Sequence, residues 1–309
     1  MQRPDRNGGL PVHRPKIESS KIMGPTIDRN VLIGSGAMIL SVLCFTSLDA
    51  INKVLVQSYS AFFLSWGRSA VQLVLLLALI PLIGASTMMR TSRPLLQAAR
   101  GACIAGVSLC VTLAVRHYPL TETYVIGFLT PFLATVIAAV VLAERATALQ
   151  WTLITLGFTG VLVALQPTSP DLAWTILFPI GFAVINAVYF VLTRLGGRTD
   201  GPWAQLFYVG LFATLALSVL LPWTWQTPTP AAGALILCAG ALGTLGHMFL
   251  IKAFASAPTA VVAPMVYFQI IWSSAIGYAV FGDVPAATTW IGAAVVVVAG
   301  VALIRTQAR

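Results

Sequence analysis

Ten apolar stretches, each about long enough to cross a bilayer, fill the chain from Val31 to Ile304 with almost no charge between them. They read as 31–52, 60–83, 98–116, 119–142, 150–166, 172–193, 203–222, 231–251, 258–281 and 287–304. A hydrocarbon core of about 30 Å takes about 20 apolar residues to cross as a helix. Unpaired backbone groups are intolerable in lipid, so runs of this length must be helical. The period-2 alternation of an outer-membrane barrel is missing. Composition agrees, since 58% of residues are hydrophobic and 9% charged, against about a quarter charged in a soluble domain. The expected fold is an all-α membrane protein with ten transmembrane helices.

The net charge of +9 would raise nucleic acid as a partner in a soluble protein, but its distribution answers otherwise. With the N-terminus inside, ten spans leave all of the Lys and Arg except Lys53, Arg68 and Arg116 on the cytoplasmic side. That is the positive-inside asymmetry. It predicts a multi-pass protein of the bacterial inner membrane with both termini cytoplasmic, whose partner is the lipid bilayer and not nucleic acid. The polar first 29 residues, with Pro4, Pro11, Pro15 and Pro25, are expected to form a disordered tail. Cys44, Cys103, Cys110 and Cys238 all fall within spans, at spacings that suit neither disulfides nor zinc. No metal or cofactor is implied.

The chain compares with itself across residue 168. Trp151 and Trp290, which open the fifth and tenth runs, lie 139 apart, as do Glu144 and Asp283, which end the fourth and ninth. Asp49-Ala50 matches Asn186-Ala187 and Trp66-Gly67-Arg68 matches Trp203-Ala204-Gln205, each 137 apart. The sequence therefore divides into the tail at 1–29, a first repeat at 30–168 and a second at 169–309. Repeats of five spans must insert in opposite orientations. Two inverted five-helix repeats are the architecture of many alternating-access carriers, whose site lies near the midplane between the halves.

The stretch TETYVIGFLTPFLATVIAAVVLAERATALQWTLITLGFTGVLVAL resembles the ten-helix EamA-type branch of the drug/metabolite transporter superfamily. APMVYFQIIWSSAIGYAVFGDVPAATTWIGAAVVVVAGVAL is similar to the second copy of that module. Two positions depart from the family pattern: Asp283 stands where Glu is usual, and Ile270 stands where a proline would face Pro131. The missing proline argues against a symmetric pair of kinks. Within the superfamily, LDAINKVL followed by SWGRSAVQLVLLL resembles bacterial S-adenosylmethionine and riboflavin uptake carriers.

Ionisable groups inside the bilayer are costly and mark function by default. Asp49 lies about seven residues from the outer end of the first span and Arg68 about eight into the second, roughly 10 Å deep at 1.5 Å per residue. Two readings stay open. In one, Asp49 and Arg68 form an ion pair that pins the first two helices together, with Lys53 anchored at the interface. In the other, Arg68 or Lys53 engages a carboxylate or phosphate of a substrate while Asp49 takes a cationic group or a proton. Glu122, near Tyr124 at the outer start of the fourth span, suits a helix N-terminus electrostatically and equally a vestibule or proton site.

The second half offers Asn186, Tyr189, Gln205, Tyr267, Gln269 and Trp272 at depth. Buried polar groups need partners, and amides among aromatics suit a planar heterocycle. His247 reads as a hydrogen bonder between helices, and Gly240, Gly243 and Gly246 read as a close-packing stripe. Pro131 is expected to kink its helix.

No metal-binding His-Glu-x-x-His helix, phosphate-cradling loop or complete nucleophile elbow occurs. Loops of about ten residues leave no room for a catalytic or ATP-driving domain. The expected protein is a secondary permease, not an enzyme, that moves a small polar metabolite resembling S-adenosylmethionine or riboflavin. The alternatives are an exporter of amino acids or drugs and, in another class, a membrane scaffold or polytopic membrane enzyme. Small-residue faces on the fifth and tenth helices suit a homodimer, and lipid contact accounts for them equally well.

Overall fold

The computed structural model describes residues 29–142, 146–165, 174–284 and 287–306. The N-terminal tail up to residue 28 and Glu144, matched to Asp283 in the sequence, lie outside the described residues. Within them every regular element is helical. The helices are α1 (Arg29–Leu55), α2 (Ala61–Ile83), α3 (Ala85–Met89), α4 (Pro94–His117), α5 (Leu120–Gly127), α6 (Leu129–Val141), α7 (Ala148–Leu165), α8 (Leu177–Gly196), α9 (Pro202–Ser218), α10 (Leu221–Thr224), α11 (Pro230–Ser256), α12 (Thr259–Val262), α13 (Gln269–Phe281) and α14 (Ala287–Thr306). Seven segments of this path are long and apolar enough to cross a membrane, so the protein is a multi-pass membrane protein. Among the described residues α9 is a shorter apolar helix, and α7 packs along α14.

Local chemistry sets the helix ends. Pro94, Pro202 and Pro230 each open a helix, where a missing N–H costs nothing and the fixed φ is already helical. The Thr229 hydroxyl caps α11 by accepting from the Ala232 N–H at 3.3 Å. Gly84 and Gly282, at φ 93° and 70°, end α2 and α13 in a region that only glycine enters without strain.

Two of the long segments are interrupted, and in register. The path from Leu120 to Val141 breaks at Phe128, between α5 and α6. Pro131 causes this break three residues upstream, because its ring clashes with the carbonyl of Gly127, four residues before it. The path from Thr259 to Phe281 passes through a 3-10 turn, Ala263–Phe268, that contains Pro264. The sequence argued against a symmetric pair because Ile270 replaces a proline. Pro264 supplies the interruption instead. Phe128 and Tyr267 occupy equivalent positions 139 apart and pack edge to face, ring centroids 5.4 Å apart.

Helix directions follow from the contacts. Gly34 abuts Ala253 and Ala257 while Leu48 meets Gly243, so α1 and α11 run antiparallel. The stripe Gly240, Gly243, Gly246 faces Val71, Leu48 and Phe45 and lets α11 sit close to α1 and α2. Tyr118 after α4 bonds Thr175 ahead of α8 at 2.7 Å, while Arg100 near the start of α4 reaches Thr193 near the end of α8. Arg194 donates to the Phe254 carbonyl, which joins the last turns of α8 and α11. At the other end, Ser60 N–H donates to Gln226 Oε1 at 2.6 Å and Thr229 N–H to Tyr59 Oη at 3.1 Å.

Candidate functional site

A narrow cavity of about 50 Å³ lies between α1, α2, α4, α8, α11 and the interrupted segment leading into α13. Small-molecule sites are mostly apolar with a few placed polar groups. Aliphatic and aromatic side chains form most of this wall. Its polar members are Asp49, Arg68, Asn186, Tyr189, His247 and Gln269. The first half supplies both charges, and the second half supplies only neutral groups.

Asp49 is 5% exposed and Arg68 8%, and both face this one cavity. Among the described residues they form no nitrogen–oxygen contact within 4.0 Å, in contrast to Lys53 and Asp283 at 3.4 Å. The direct ion pair of the first sequence reading is therefore absent. Each charge takes a neutral partner instead: Tyr124 Oη donates to Asp49 Oδ2 at 2.7 Å, and Arg68 Nε donates to Ser108 Oγ at 2.7 Å. These neutral partners hold the carboxylate and guanidinium separately on α1 and α2. Burying a charge without a direct counter-ion is expensive; here the two opposite charges stay out of contact but within electrostatic reach of each other.

The other residues singled out in the sequence divide clearly. Asn186, Tyr189 and Gln269 line the cavity. Tyr124 stands behind Asp49 as its hydrogen-bond donor. Lys53 lies outside the cavity, bonded to Asp283 and 4.4 Å above the Phe281 ring. Glu122 is exposed and within electrostatic reach of Asp283 and Lys53. Helical spacing brings Lys53 onto the same general side of α1 as Asp49, but one turn further on it has reached the helix end. Tyr267 is buried against Phe128, and the Trp272 indole N–H and Tyr267 hydroxyl have no hydrogen-bond partner among the described residues. Gln205 also lies away from the cavity, where its side-chain amide donates to the Asp200 carbonyl at 3.2 Å.

Ser108 and the burial of Arg100 escaped the sequence reading, whereas His247 is the hydrogen bonder between helices that the sequence indicated. Ser108 is a small polar residue on an apolar helix, a pattern shared with simple packing residues. His247 lies on the cavity wall and is hydrogen-bonded to Tyr189 at 3.2 Å. The sequence places Arg100 on the cytoplasmic side without marking it as a buried group, because the apolar run begins only at residue 98. The helix α4 starts at Pro94, six residues or about 9 Å before Arg100, and Arg100 is fully buried. That early proline was the signal. Its guanidinium donates to Gln97 Oε1 at 2.5 Å, the Gln205 carbonyl at 3.2 Å and Thr193 Oγ1 at 3.3 Å, and stacks 5.5 Å from the Tyr189 ring.

Gln97 continues this chain of contacts outward by donating to Asp200 Oδ2 at 2.7 Å. Asp200, in the turn between α8 and α9, also accepts from Thr91 and Ser92. Burial alone would raise its carboxyl, but these hydrogen bonds outweigh burial and hold it below the usual carboxylate range.

The family model described as the EamA-like transporter family matches the chain twice, at residues 32–166 and 173–306. An S-adenosylmethionine uptake transporter of Rickettsia conorii is 25% identical over 269 residues, covering 87% of this chain and 91% of the relative. A riboflavin transporter of Rhizobium johnstonii is 27% identical, with 90% and 93% covered. A pseudopaline exporter of Pseudomonas aeruginosa is 27% identical, with 89% and 98% covered. A solved crystal structure superposes with a TM-score of 0.68 at 16% identity, covering 91% of this chain and 97% of its own. At that identity the likeness speaks for the fold alone.

Proposed function

This chain belongs to the EamA-like transporter family, and from that premise we propose that it is a secondary carrier of a small zwitterionic metabolite, working by alternating access. The observation that carries this reading is the separated pair Asp49 and Arg68 in one cavity. A substrate with a cationic and an anionic group satisfies both at once. Each charge-assisted hydrogen bond gained is worth about 1.5–3 kcal/mol. Asn186, Gln269, Tyr189 and the surrounding aromatic rings suit a planar heterocycle on the same molecule. S-adenosylmethionine has both parts, and riboflavin has the heterocycle, which agrees with what two of the relatives are named for.

In the full reading ten helices cross the bacterial inner membrane as two inverted five-helix repeats, with both termini cytoplasmic. The twofold family match and the antiparallel contacts support this topology. The start of α1 meets the end of α11, and the end of α11 meets the end of α8. The second half thus begins, at α8, at the bundle end opposite to where the first begins. A substrate shifts such a carrier between states only by its differential affinity for them, so binding to each state must be balanced.

The test is uptake into proteoliposomes, preceded by a thermal-shift screen against S-adenosylmethionine, riboflavin, nucleosides and amino acids. Arg68→Ala should abolish uptake of the stabilising compound while the variant still inserts and purifies normally. Unchanged uptake kinetics would remove Arg68 from the site.

A further inference from the structure

We propose that Arg100 and Gln205 form a second subsite, separate from the main cavity, that receives an α-amino-carboxylate group. It deepens the carrier reading and rests on it: the head of the transported zwitterion would pause here on its way to the bundle end where α4 begins.

Position is the first argument. Tyr189 lines the main cavity on one face and carries the Arg100 guanidinium on its ring. Its hydroxyl is tied to His247. This Tyr189–His247 pair closes the cavity on that side. Ser108, which holds Arg68, and Arg100 are eight residues apart on α4, about 12 Å along the helix. The two guanidiniums therefore mark two stations separated by one aromatic barrier.

The second argument is unmet hydrogen bonding. Arg100 is fully buried, and its Nη2 meets no acceptor among the described residues. Asp200 lies within electrostatic reach but is joined to Arg100 by hydrogen bonds only through Gln97. Gln205 Oε1 is likewise buried without a donor. Both side chains border Gly196: a Cβ there would lie 3.0 Å from Gln205 Oε1 and 3.8 Å from Arg100 Cδ. An open donor on a cation beside an open neutral acceptor matches a carboxylate and an ammonium joined by one carbon. Nε and Nη1 already tie α4 to Thr193 of α8 and to the Gln205 carbonyl of α9, and the guanidinium rests against Tyr189, while Nη2 takes part in neither of those two hydrogen bonds.

The probes are glycine, which carries both groups, and acetate, which carries one. Protein with ¹⁵N-labelled arginine guanidinium groups is titrated with each, and Arg100→Lys identifies the Arg100 signal. Glycine should move that signal saturably, at a half-saturation at least tenfold below that of acetate, about 1.4 kcal/mol. Gly196→Ala, which crowds Gln205 Oε1, should weaken glycine at least tenfold and acetate far less. If Arg100→Lys does not fold, Gly196→Ala on its own decides. A signal unmoved by glycine, or glycine binding unaffected by Gly196→Ala, overturns the subsite. Failure here with uptake still abolished in Arg68→Ala leaves the carrier reading intact. Saturable glycine binding with no transported compound has the opposite meaning.

Discussion

Gly240→Ala tests whether the small-residue stripe on α11 sets the position of Arg68. A Cβ at residue 240 would lie 2.4 Å from Val71 Cβ and Cγ1 and 3.1 Å from the Arg68 carbonyl oxygen. Carbon contacts settle near 3.5–4.0 Å, so α2 and α11 must part by about 1 Å. Val71 is β-branched, and no rotamer moves its Cβ. Overpacking of this kind costs about 1–3 kcal/mol, here toward the upper end because two carbons clash. Replacing glycine by alanine inside a helix returns about 1 kcal/mol, leaving a net loss of about 2 kcal/mol. A shift of α2 by this amount also disturbs the 2.7 Å bond between Arg68 and Ser108, and a 1 Å misplacement can cost about 100-fold in rate. Thermal unfolding in detergent and proteoliposome uptake should therefore both fall. Gly36→Ala, with no neighbour within 4 Å, is the control and should melt at or above the parent. A Gly240→Ala protein that melts with the control and transports normally would refute the reasoning.

Three further outcomes follow. Asp200→Asn removes the charge-assisted part of a four-bond anchor and should destabilise the protein by about 1–2 kcal/mol at neutral pH. Because the folded carboxyl sits below its unfolded value near 3.9, the stabilisation is complete above that pH and disappears as pH falls through the folded value. Melting curves of parent and variant should therefore converge in acid, and a constant gap would contradict the assignment. Tyr124→Phe strips Asp49 of its donor and should alter affinity for a cationic substrate group at least several-fold, read by ligand-induced thermal shift. Lys53→Ala should change stability by less than about 1 kcal/mol, the usual worth of a surface pair, and leave substrate affinity unchanged by the same thermal-shift measurement.

Hydropathy alone made the helices legible, since each long apolar run became helical. It also found Asp49 and Arg68, because a charge within an apolar run stands out. The faces on which helices meet left no such trace. Nothing local records that Ser108 turns toward Arg68, or that Gln205 turns toward Arg100 and away from the cavity. The burial of Arg100 went unseen because apolarity marks where lipid begins, whereas Pro94 marks where the helix begins. The interruption near Phe128 could be read from Pro131. The one at Ala263–Phe268 could not be read from Ile270, because the proline that makes it lies six residues earlier.

The touching rings of Phe128 and Tyr267 have a mechanical consequence. Residues at equivalent positions of a duplicated chain meet each other only at the centre that relates the copies. In the proposed carrier, whose inverted copies would trade shapes, that centre is the point that travels least. The two rings would there serve as a fulcrum, held constant while contacts at the far ends of the bundle open and close. The weakened backbone on either side of them bends most easily where the lever arm is shortest.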